Sequence, residues 1–252
     1  MEVLFLAILG LLQGLCEFLP VSSSGHLVLF SAIFGVQDSL LVSIVLHVAT
    51  LFAIVVVYYK DIKDWVLHPF SNQAIMIYAA TIPTCVIVLL IMPIVNASFG
   101  GKYLAICFFV SAVLLFVADY FAKKKQSKPF TLKTAFVMGV AQGLAVFPGI
   151  SRSGTTISAG LASGADRKDC AKFSFLMSVP IILMSMMLEI FKIIKAESLP
   201  SVSVPGLIIG SFIAFVVGVF SIKVMVKITE KLQLKWFSLY LVFIAIMCII
   251  IL

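Results

Sequence analysis

The sequence predicts an all-α polytopic membrane protein with six transmembrane helices and two re-entrant helical hairpins, arranged as repeats of inverted topology. Three observations support this prediction. The 252 residues are 62% hydrophobic and only 12% charged, with a mean hydropathy of +1.21, whereas an average soluble chain carries roughly 25% charged residues. One motif occurs twice. Apolar stretches long enough to cross a bilayer recur between short basic loops.

The duplicated motif lies at corresponding places in the two halves of the chain. Residues 10–26 read GLLQGLCEFLPVSSSGH and residues 139–155 read GVAQGLAVFPGISRSGT, which align without a gap at an offset of 129. Paired short apolar segments that are broken at corresponding positions are typical of membrane proteins with a binding site between two repeats. We therefore predict one integral membrane domain over residues 1–252, with repeats at about 1–122 and 130–252.

Six apolar stretches have the length of a transmembrane helix. A span needs about 20 predominantly apolar residues, and this criterion selects Leu40–Tyr59, Ala74–Pro93, Lys102–Phe121, Lys172–Phe191, Ser203–Ile222 and Trp236–Leu252. We expect each of these stretches to cross the membrane once.

Four shorter apolar segments do not fit as spans. Val3–Leu19 and Thr131–Phe147 end in breaks that contain Pro and Ser, and the segments that follow them, His26–Gly35 and Thr155–Gly164, are too short to cross. Non-helical backbone at membrane depth is tolerated only where protein buries it or where it lines a wet cavity. These pairs therefore predict two re-entrant hairpins. The charge before the first segment is Glu2, without a basic stretch, so we expect this segment to belong to the folded protein.

The basic residues predict the orientation of the spans. Following the six spans puts 14 of the 18 Lys and Arg residues on one side and only Lys102, Lys192 and Lys195 on the other. The positive-inside rule makes the first side cytoplasmic. The first hairpin then enters from outside and the second from the cytoplasm, so the repeats are inverted and their tips should meet. Because the charges lie in short loops rather than on one basic face, nucleic-acid binding is excluded.

The cysteines give no sign of a metal site or a disulfide framework. They are five in number and scattered among the apolar stretches, where small packing residues are expected: Cys16, Cys85, Cys107, Cys170 and Cys248.

Arg152 in the second motif is the most informative single residue. An arginine in an apolar setting costs several kcal/mol and marks a functional site by default. Ser151 and Ser153 flank it, and Thr156 follows before a short helical segment. An arginine fork with hydroxyls and a helix start suits a phosphate or diphosphate. The alternative is that Arg152 pairs with one buried carboxylate and holds the two hairpins together.

The first motif supplies different chemistry. Gln13 and Glu17 lie on one helical face, and Ser22, Ser23 and His26 follow. Glu17 is a candidate oxygen ligand for a divalent cation whose other ligands come from phosphate; alternatively it only neutralises Arg152. The histidine is a candidate general acid or base, or a nucleophile.

Two further polar residues lie inside predicted spans. His47 occurs within VSIVLHVATL, where we expect a packed or supporting group rather than a participant in chemistry. Asp119 lies close to the lysine cluster Lys123–Lys125, so we expect it to have a structural role.

The two motifs resemble the signatures of the bacterial undecaprenyl-diphosphatase family. QGLCEFLPVSSSGH is similar to the first signature, a Glu/Gln-x-x-x-Glu helix followed by Pro-x-Ser-Ser-x-Gly-His, and PGISRSGTTIS is similar to the second, Pro-Gly-x-Ser-Arg-Ser-x-x-Thr. The segment FSFLMSVP is also typical of that family, and the resemblance extends over the whole chain. It differs at one position, because Gln13 stands where many members carry Glu.

The resemblance implies hydrolysis of undecaprenyl diphosphate to undecaprenyl phosphate and inorganic phosphate, which recycles a lipid carrier for cell-wall synthesis and confers bacitracin resistance. It implies a polyisoprenyl diphosphate lipid as substrate, membrane lipids as partners, Mg²⁺ or Ca²⁺ as cofactor and the bacterial plasma (inner) membrane as location. The residues that match the active-site signatures are Glu17, Ser22, Ser23, His26, Ser151, Arg152, Ser153 and Thr156. The oligomeric state stays open, a homodimer included.

The sequence leaves the attacking group open. It is the Ser23 hydroxyl, which we favour, or water with His26 moving the proton, or His26 itself. Since the first hairpin is predicted to enter from outside, we expect the active site to face the extracytoplasmic side. The rival function is transport of an anionic or phosphorylated lipid, because inverted repeats with broken helices also form transporters.

Overall fold

The protein is described here by a computed structural model covering residues 2–34, 40–98, 103–122, 128–195, 202–231 and 234–252. These residues form 11 α-helices: α1 (Glu2–Cys16), α2 (Ser23–Phe34), α3 (Leu40–Val57), α4 (Tyr59–Leu67), α5 (Asn72–Ser98), α6 (Leu104–Ala122), α7 (Leu132–Leu144), α8 (Arg152–Ala162), α9 (Arg167–Lys195), α10 (Val204–Lys231) and α11 (Lys235–Ile251).

The helices and their surfaces are those of a multi-pass membrane protein. Among the described residues, α5, α9 and α10 contain stretches long and apolar enough to cross a bilayer, and α3 with α4 forms a fourth such stretch that is bent by 87°. Helices α6 and α11 are apolar and have 19 and 17 residues. Bulky side chains are widely exposed, including Leu89 at 75%, Phe212 at 67% and Ile249 at 74%. A soluble monomer rarely exposes so much contiguous apolar surface.

All six predicted spans fall on helices, with shifted ends. Helices α5 and α9 extend beyond the predicted Ala74–Pro93 and Lys172–Phe191 at both ends, and α10 extends beyond the predicted Ser203–Ile222 at its C-terminal end only, because polar and charged residues continue a helix outside the hydrocarbon region. Lys102 lies outside the described residues.

Helix α4 was not predicted from the sequence. The span expected to run to Tyr59 ends at Val57, and the chain turns by 87° into a helix of nine residues. This helix carries Lys60, Asp61, Lys63 and Asp64 among apolar residues and has no buried residue. Its charges disfavour continuation into the hydrocarbon region, which explains the sharp bend.

The first helix of each hairpin packs against a long helix from the other half of the chain. Helix α1 lies along α10, α7 lies along α5, and α6 and α11 pack against each other. A Cβ atom at Gly10 would collide with the backbone carbonyl of Gly210, and a Cβ atom at the equivalent Gly139 would collide with the backbone of Ala80. Close backbone approach at small residues is a main source of helix association in lipid.

The second glycine of each motif makes the same kind of contact one turn later. A Cβ atom at Gly14 would lie 2.8 Å from the carbonyl oxygen of Ala214, and one at Gly143 would lie 2.8 Å from Cβ of Ile87. The duplicated Gly-x-x-x-Gly spacing is therefore a helix-packing feature that repeats in both halves.

The short helices of the hairpins begin three residues earlier than predicted. The sequence suggested starts at His26 and Thr155, but α2 begins at Ser23 and α8 at Arg152. The reason is capping by the preceding serine in each copy, which satisfies an orphan amide of the first turn. The predicted end of the first segment, Gly35, lies outside the described residues. Ser23 and Arg152 thus become the first residues of two helices.

Candidate active site

The tips of the two hairpins are in contact. A Cβ atom at Gly25 would lie 2.8 Å from Cα of Gly149, so these two glycines bring the turns together without side chains between them. The Ser153 hydroxyl donates a hydrogen bond of 3.0 Å to the carbonyl oxygen of Leu19 in the first hairpin. The expected meeting of the tips is therefore present in the structure.

Glu17 is the centre of the polar cluster that the tips enclose. Its carboxylate accepts hydrogen bonds at Oε2 from Ser23 Oγ at 2.6 Å and from Gln13 Nε2 at 3.1 Å. Its other oxygen, Oε1, accepts a hydrogen bond from Nη2 of Arg152. The Glu17 side chain is only 4% exposed, so these three donors compensate a charge that is almost entirely removed from water.

The ion pair between Arg152 and Glu17 joins the second hairpin to the first. The alternative that Arg152 pairs with a buried carboxylate is thus present in the structure. The same geometry is also compatible with phosphate binding by Arg152. The guanidinium has five N–H donors, and the Arg152 side chain is 22% exposed, against 4% for Glu17. Phosphate binding by Arg152 stays a prediction.

Two predicted phosphate-binding serines act as helix caps. Ser22 Oγ accepts a hydrogen bond from the Gly25 amide at 3.3 Å, and Ser151 Oγ accepts one from the Gly154 amide at 3.1 Å. Ser22 has a φ of 69°, a left-handed conformation that is uncommon outside glycine and is concentrated at functional sites. Both serines are buried and shape the turns that present Ser23 and Arg152.

The Thr156 hydroxyl lies apart from the Glu17 cluster. It donates to the carbonyl oxygen of Arg152 at 2.9 Å and lies 2.6 Å from the hydroxyl of Ser174 in α9, and the residue is fully buried. In this arrangement it fixes α8 against α9. Its contact with phosphate stays a prediction.

His26 contacts side chains of α6 and α11. Its Nδ1 lies 2.8 Å from the Ser22 carbonyl oxygen, which only accepts, so Nδ1 carries the proton. Its Nε2 lies 2.8 Å from the hydroxyl of Tyr240. The imidazole and the Phe108 ring form a T-shaped pair with their centroids 5.2 Å apart. In the neutral imidazole the Tyr240 O–H therefore donates to Nε2. Sequence reasoning missed Tyr240 because nothing local marks it within the apolar α11.

His47 lies much closer to Glu17 than the sequence suggested. Its Nδ1 lies 2.8 Å from the Ser43 carbonyl oxygen one turn earlier in α3. This contact leaves Nε2 3.9 Å from Oε2 of Glu17, and the imidazole is 28% exposed. The sequence predicted a packed or supporting group but did not place it beside Glu17. In the sequence, the one sign that His47 could belong to the polar site was its position inside an otherwise apolar span.

Asp119 forms a buried ion pair, in keeping with the structural role that the sequence suggested. Its Oδ1 accepts a hydrogen bond of 2.7 Å from Arg167 at the start of α9, and its side chain is 3% exposed. This pair ties α6 to α9. The lysines Lys123–Lys125 lie outside the described residues.

The oxygen atoms around Glu17 fit a divalent cation that takes few protein ligands. Glu17 Oε2 and Ser23 Oγ lie together, whereas Gln13 directs its amide nitrogen at Glu17, and its Oε1 is buried without a hydrogen-bond partner in the structure. No group of three or more His, Cys, Asp or Glu residues with metal-binding geometry occurs among the described residues. The composition suits Mg²⁺, which keeps several waters and uses one or two carboxylates together with substrate phosphates.

The fold and the site define a class of protein, a multi-pass helical membrane protein whose polar site is enclosed by the tips of two broken hairpins. Within that class, the chain belongs to the family described as bacitracin resistance protein BacA, which matches residues 6–247. Helices α1 to α11, including both motifs, fall almost wholly within that match.

Similar proteins carry one common name. An undecaprenyl-diphosphatase of Bacteroides fragilis is 38% identical over 97% of this chain and 96% of its own length. Proteins of the same name from Parabacteroides distasonis and Treponema denticola are 39% and 41% identical, covering 92% and 96% of this chain and 92% and 94% of their own lengths.

The Glu17–Arg152 pair predicts a specific pattern of stabilities. Arg152→Ala leaves a buried carboxylate without its cation, which we expect to cost about 3–5 kcal/mol of unfolding free energy. The double variant Glu17→Gln/Arg152→Ala removes both charges and should regain most of that loss. Thermal unfolding of the purified variants in detergent measures this, with Arg152→Lys as a control that keeps the charge. A double variant as unstable as Arg152→Ala would contradict the proposed pairing.

Proposed function

We propose that this protein hydrolyses undecaprenyl diphosphate to undecaprenyl phosphate and inorganic phosphate, and thereby recycles the lipid carrier of cell-wall synthesis and confers bacitracin resistance. The observation that carries the proposal is the placement of one hydroxyl, one carboxylate and one guanidinium together: Ser23 Oγ lies 2.6 Å from Glu17 Oε2, and Arg152 binds the other carboxylate oxygen. The names of the relatives in the BacA family support the same reaction.

The geometry favours Ser23 as the attacking group. A nucleophile within hydrogen-bond reach of a base that is itself held by further groups is the usual arrangement for covalent catalysis. The Ser23 oxygen attacks the terminal phosphorus while its proton passes to Glu17, and the bond from that phosphorus to the bridging oxygen breaks. Undecaprenyl phosphate leaves, and water then hydrolyses the phosphoserine to release inorganic phosphate.

Arg152 is positioned to stabilise the transferred phosphoryl group. Phosphoryl transfer depends mainly on positioning and on neutralising the charge of the equatorial oxygens. The guanidinium lies at the first position of α8, where the helix start also favours an anion. When the diphosphate binds, Arg152 can bridge between phosphate and Glu17 by using donors that its present hydrogen bond leaves unused.

A divalent cation, Mg²⁺ or Ca²⁺, belongs to the proposal. Glu17, with the Ser23 hydroxyl beside it, would hold the ion. A bound cation would offset the negative charge of the diphosphate. Hydrolysis should therefore stop when the cation is removed.

We further propose that the helices form six spans and two re-entrant hairpins in the bacterial plasma membrane, with inverted repeats and an active site open to the extracytoplasmic side. Helix α1 packs against α10 of the second half, and α7 packs against α5 of the first half, which supports two related repeats. The 14 basic residues on the predicted cytoplasmic side support the orientation.

Side-specific labelling tests the inverted topology. Phe70, just before α5, and Val204, at the start of α10, occupy similar places in the two halves and are 90% and 65% exposed. In a variant without native cysteines, Phe70→Cys should react with an impermeant thiol reagent only from the cytoplasmic side and Val204→Cys only from outside. Labelling of both from one side would mean that the repeats are parallel.

Phosphate release from undecaprenyl diphosphate by the purified protein in detergent tests the reaction. We expect release with Mg²⁺, none with excess chelator, and a loss of about 10²- to 10⁴-fold in Ser23→Ala, which lacks the attacking hydroxyl. Ser24→Ala is the matched control and should retain activity. A well-folded protein that binds the lipid but releases no phosphate would favour transport of the lipid instead.

In the proposed reaction His26 would move the proton of the water that hydrolyses the phosphoserine, and Tyr240, whose hydroxyl lies 2.8 Å from Nε2 of His26, is expected to act by positioning that imidazole. Removing its hydroxyl in Tyr240→Phe deletes one hydrogen bond to Nε2, which should lower kcat about two- to tenfold with little change in KM. In a His26→Gln background, which has no imidazole to position, the same substitution should have no further effect. A loss of kcat in both backgrounds would show that Tyr240 acts on the helix packing rather than on His26.

A further inference from the structure

His47 of α3 presents an unshared electron pair near the Glu17 carboxylate. Its Nδ1 lies 2.8 Å from the carbonyl oxygen of Ser43, which only accepts, so Nδ1 carries the proton of the neutral imidazole. The other ring nitrogen, Nε2, is then an acceptor, and it lies 3.9 Å from Oε2 of Glu17. Two acceptors do not attract each other, so this pair of atoms is suited to a positive group that both can bind.

The carboxylate does not need His47 as a second counter-charge. Arg152 binds Oε1 of Glu17, and Ser23 and Gln13 donate hydrogen bonds to Oε2. Glu17 and Arg152 are therefore already a neutral pair, and a neutral imidazole beside them keeps it so. A divalent cation would add two positive charges, which a diphosphate would balance when both are bound.

The hydrogen bond at Nδ1 is the arrangement found in metal-binding histidines. Such histidines almost always donate the second ring N–H to a carbonyl or carboxylate, which fixes the tautomer and the direction of the ligating nitrogen. The two other histidines of the chain differ. Nε2 of His26 is engaged by the hydroxyl of Tyr240, and His68 is 67% exposed, beside Asp64 one turn earlier.

The separation of the two atoms is compatible with a shared ion. Bonds from a divalent metal ion to a histidine nitrogen or a carboxylate oxygen are about 2.0–2.2 Å long, so one ion can join two atoms up to about 4.4 Å apart. The 3.9 Å between Nε2 and Oε2 lies within this limit. The Ser23 hydroxyl, 2.6 Å from the same oxygen, is close enough to be a third protein ligand. So few ligands leave room for water and phosphate oxygens.

The imidazole is held firmly and is also accessible. Leu46, the preceding residue, is 1% exposed and packs in one apolar cluster with Leu9 of α1 and Ala214 of α10. The imidazole of His47 is 28% exposed, whereas the side chain of Glu17 is 4% exposed. An ion can therefore reach the buried carboxylate from the histidine side, and the packing of α3 keeps the nitrogen in place.

We propose that Nε2 of His47 binds the divalent cation together with Oε2 of Glu17. This inference rests on the proposed cation-dependent hydrolysis and deepens it by adding a nitrogen ligand. Imidazole favours first-row transition metal ions over Mg²⁺ and Ca²⁺, for which oxygen ligands are preferred. The site should therefore bind Mn²⁺ more tightly than Mg²⁺.

Pulsed EPR spectroscopy of bound Mn²⁺ tests the proposal. The full protein, purified in detergent without a polyhistidine tag, is loaded with Mn²⁺ at a stoichiometry of one ion per chain. A directly bound imidazole adds a nitrogen coupling to the Mn²⁺ signal. Incorporation of ¹⁵N-histidine should change that coupling in the unmodified protein, so a histidine ligand is detected without any substitution.

Variants then identify the histidine. His47→Gln should abolish the coupling and weaken Mn²⁺ binding by at least about tenfold, with a smaller loss for Mg²⁺, measured by its displacement of Mn²⁺. His26→Gln and His68→Gln are the matched controls and should keep the coupling. The double variant Glu17→Gln/Arg152→Ala removes the carboxylate without leaving an unpaired charge and should lose the bound ion.

The outcomes separate this inference from the proposed hydrolysis. Bound Mn²⁺ without a histidine coupling, or with a coupling that persists in His47→Gln, would overturn the assignment of His47. Unchanged Mn²⁺ binding in Glu17→Gln/Arg152→Ala would place the ion elsewhere and overturn it as well. Phosphate release from undecaprenyl diphosphate is measured on the same preparations. If the coupling depends on His47 but no phosphate is released, the ligand assignment stands and the hydrolysis is rejected.

Discussion

The ion pair between Glu17 and Arg152 is the interaction on which the site depends. It is formed across the two hairpins, from residues that lie far apart in the sequence, and Glu17 is nearly inaccessible to solvent. A buried carboxylate without compensation would be strongly unfavourable, so both hairpin tips must be in place for either residue to be tolerated. The same requirement places the Ser23 hydroxyl against the carboxylate. The stability of the two hairpins and the assembly of the site are therefore coupled.

Glycine makes that meeting of tips possible. Gly10 and Gly139 bring the first helix of each hairpin against a helix of the other half, and Gly25 and Gly149 leave no side chains between the turns. Helices that cross the boundary between repeats lock the halves together without a soluble-type hydrophobic driving force. The repeated glycines are thus explained by backbone approach, whereas the chemistry is carried by positions where the two copies differ.

The sequence predicted the features that repeat or that follow hydropathy, and missed those set by tertiary contact. The six apolar stretches fall on helices, and each motif falls where one helix ends and the next begins, because length and polarity decide these features. The starts of α2 and α8 were placed too late, since a serine cap is a short-range hydrogen bond that hydropathy does not register. The position of His47 beside Glu17 and the hydrogen bond from Tyr240 to His26 depend on how α3 and α11 pack. Neither His47 nor Tyr240 lies in one of the two motifs.

The asymmetry between the copies explains why a duplicated scaffold has one site rather than two. Gln13 donates to Glu17, whereas the equivalent Gln142 donates weakly to Thr84 of α5, because Val146 stands where a second carboxylate would be. Without an acidic residue there, the second copy cannot compensate a buried arginine of its own, and its Arg152 must use the carboxylate of the first. Glu17 near the first turn and Arg152 in the second turn together form a neutral pair in the absence of a ligand. In the proposed reaction the diphosphate would bind the free donors of Arg152 and the cation would bind Glu17, so neither residue would lose its counter-charge.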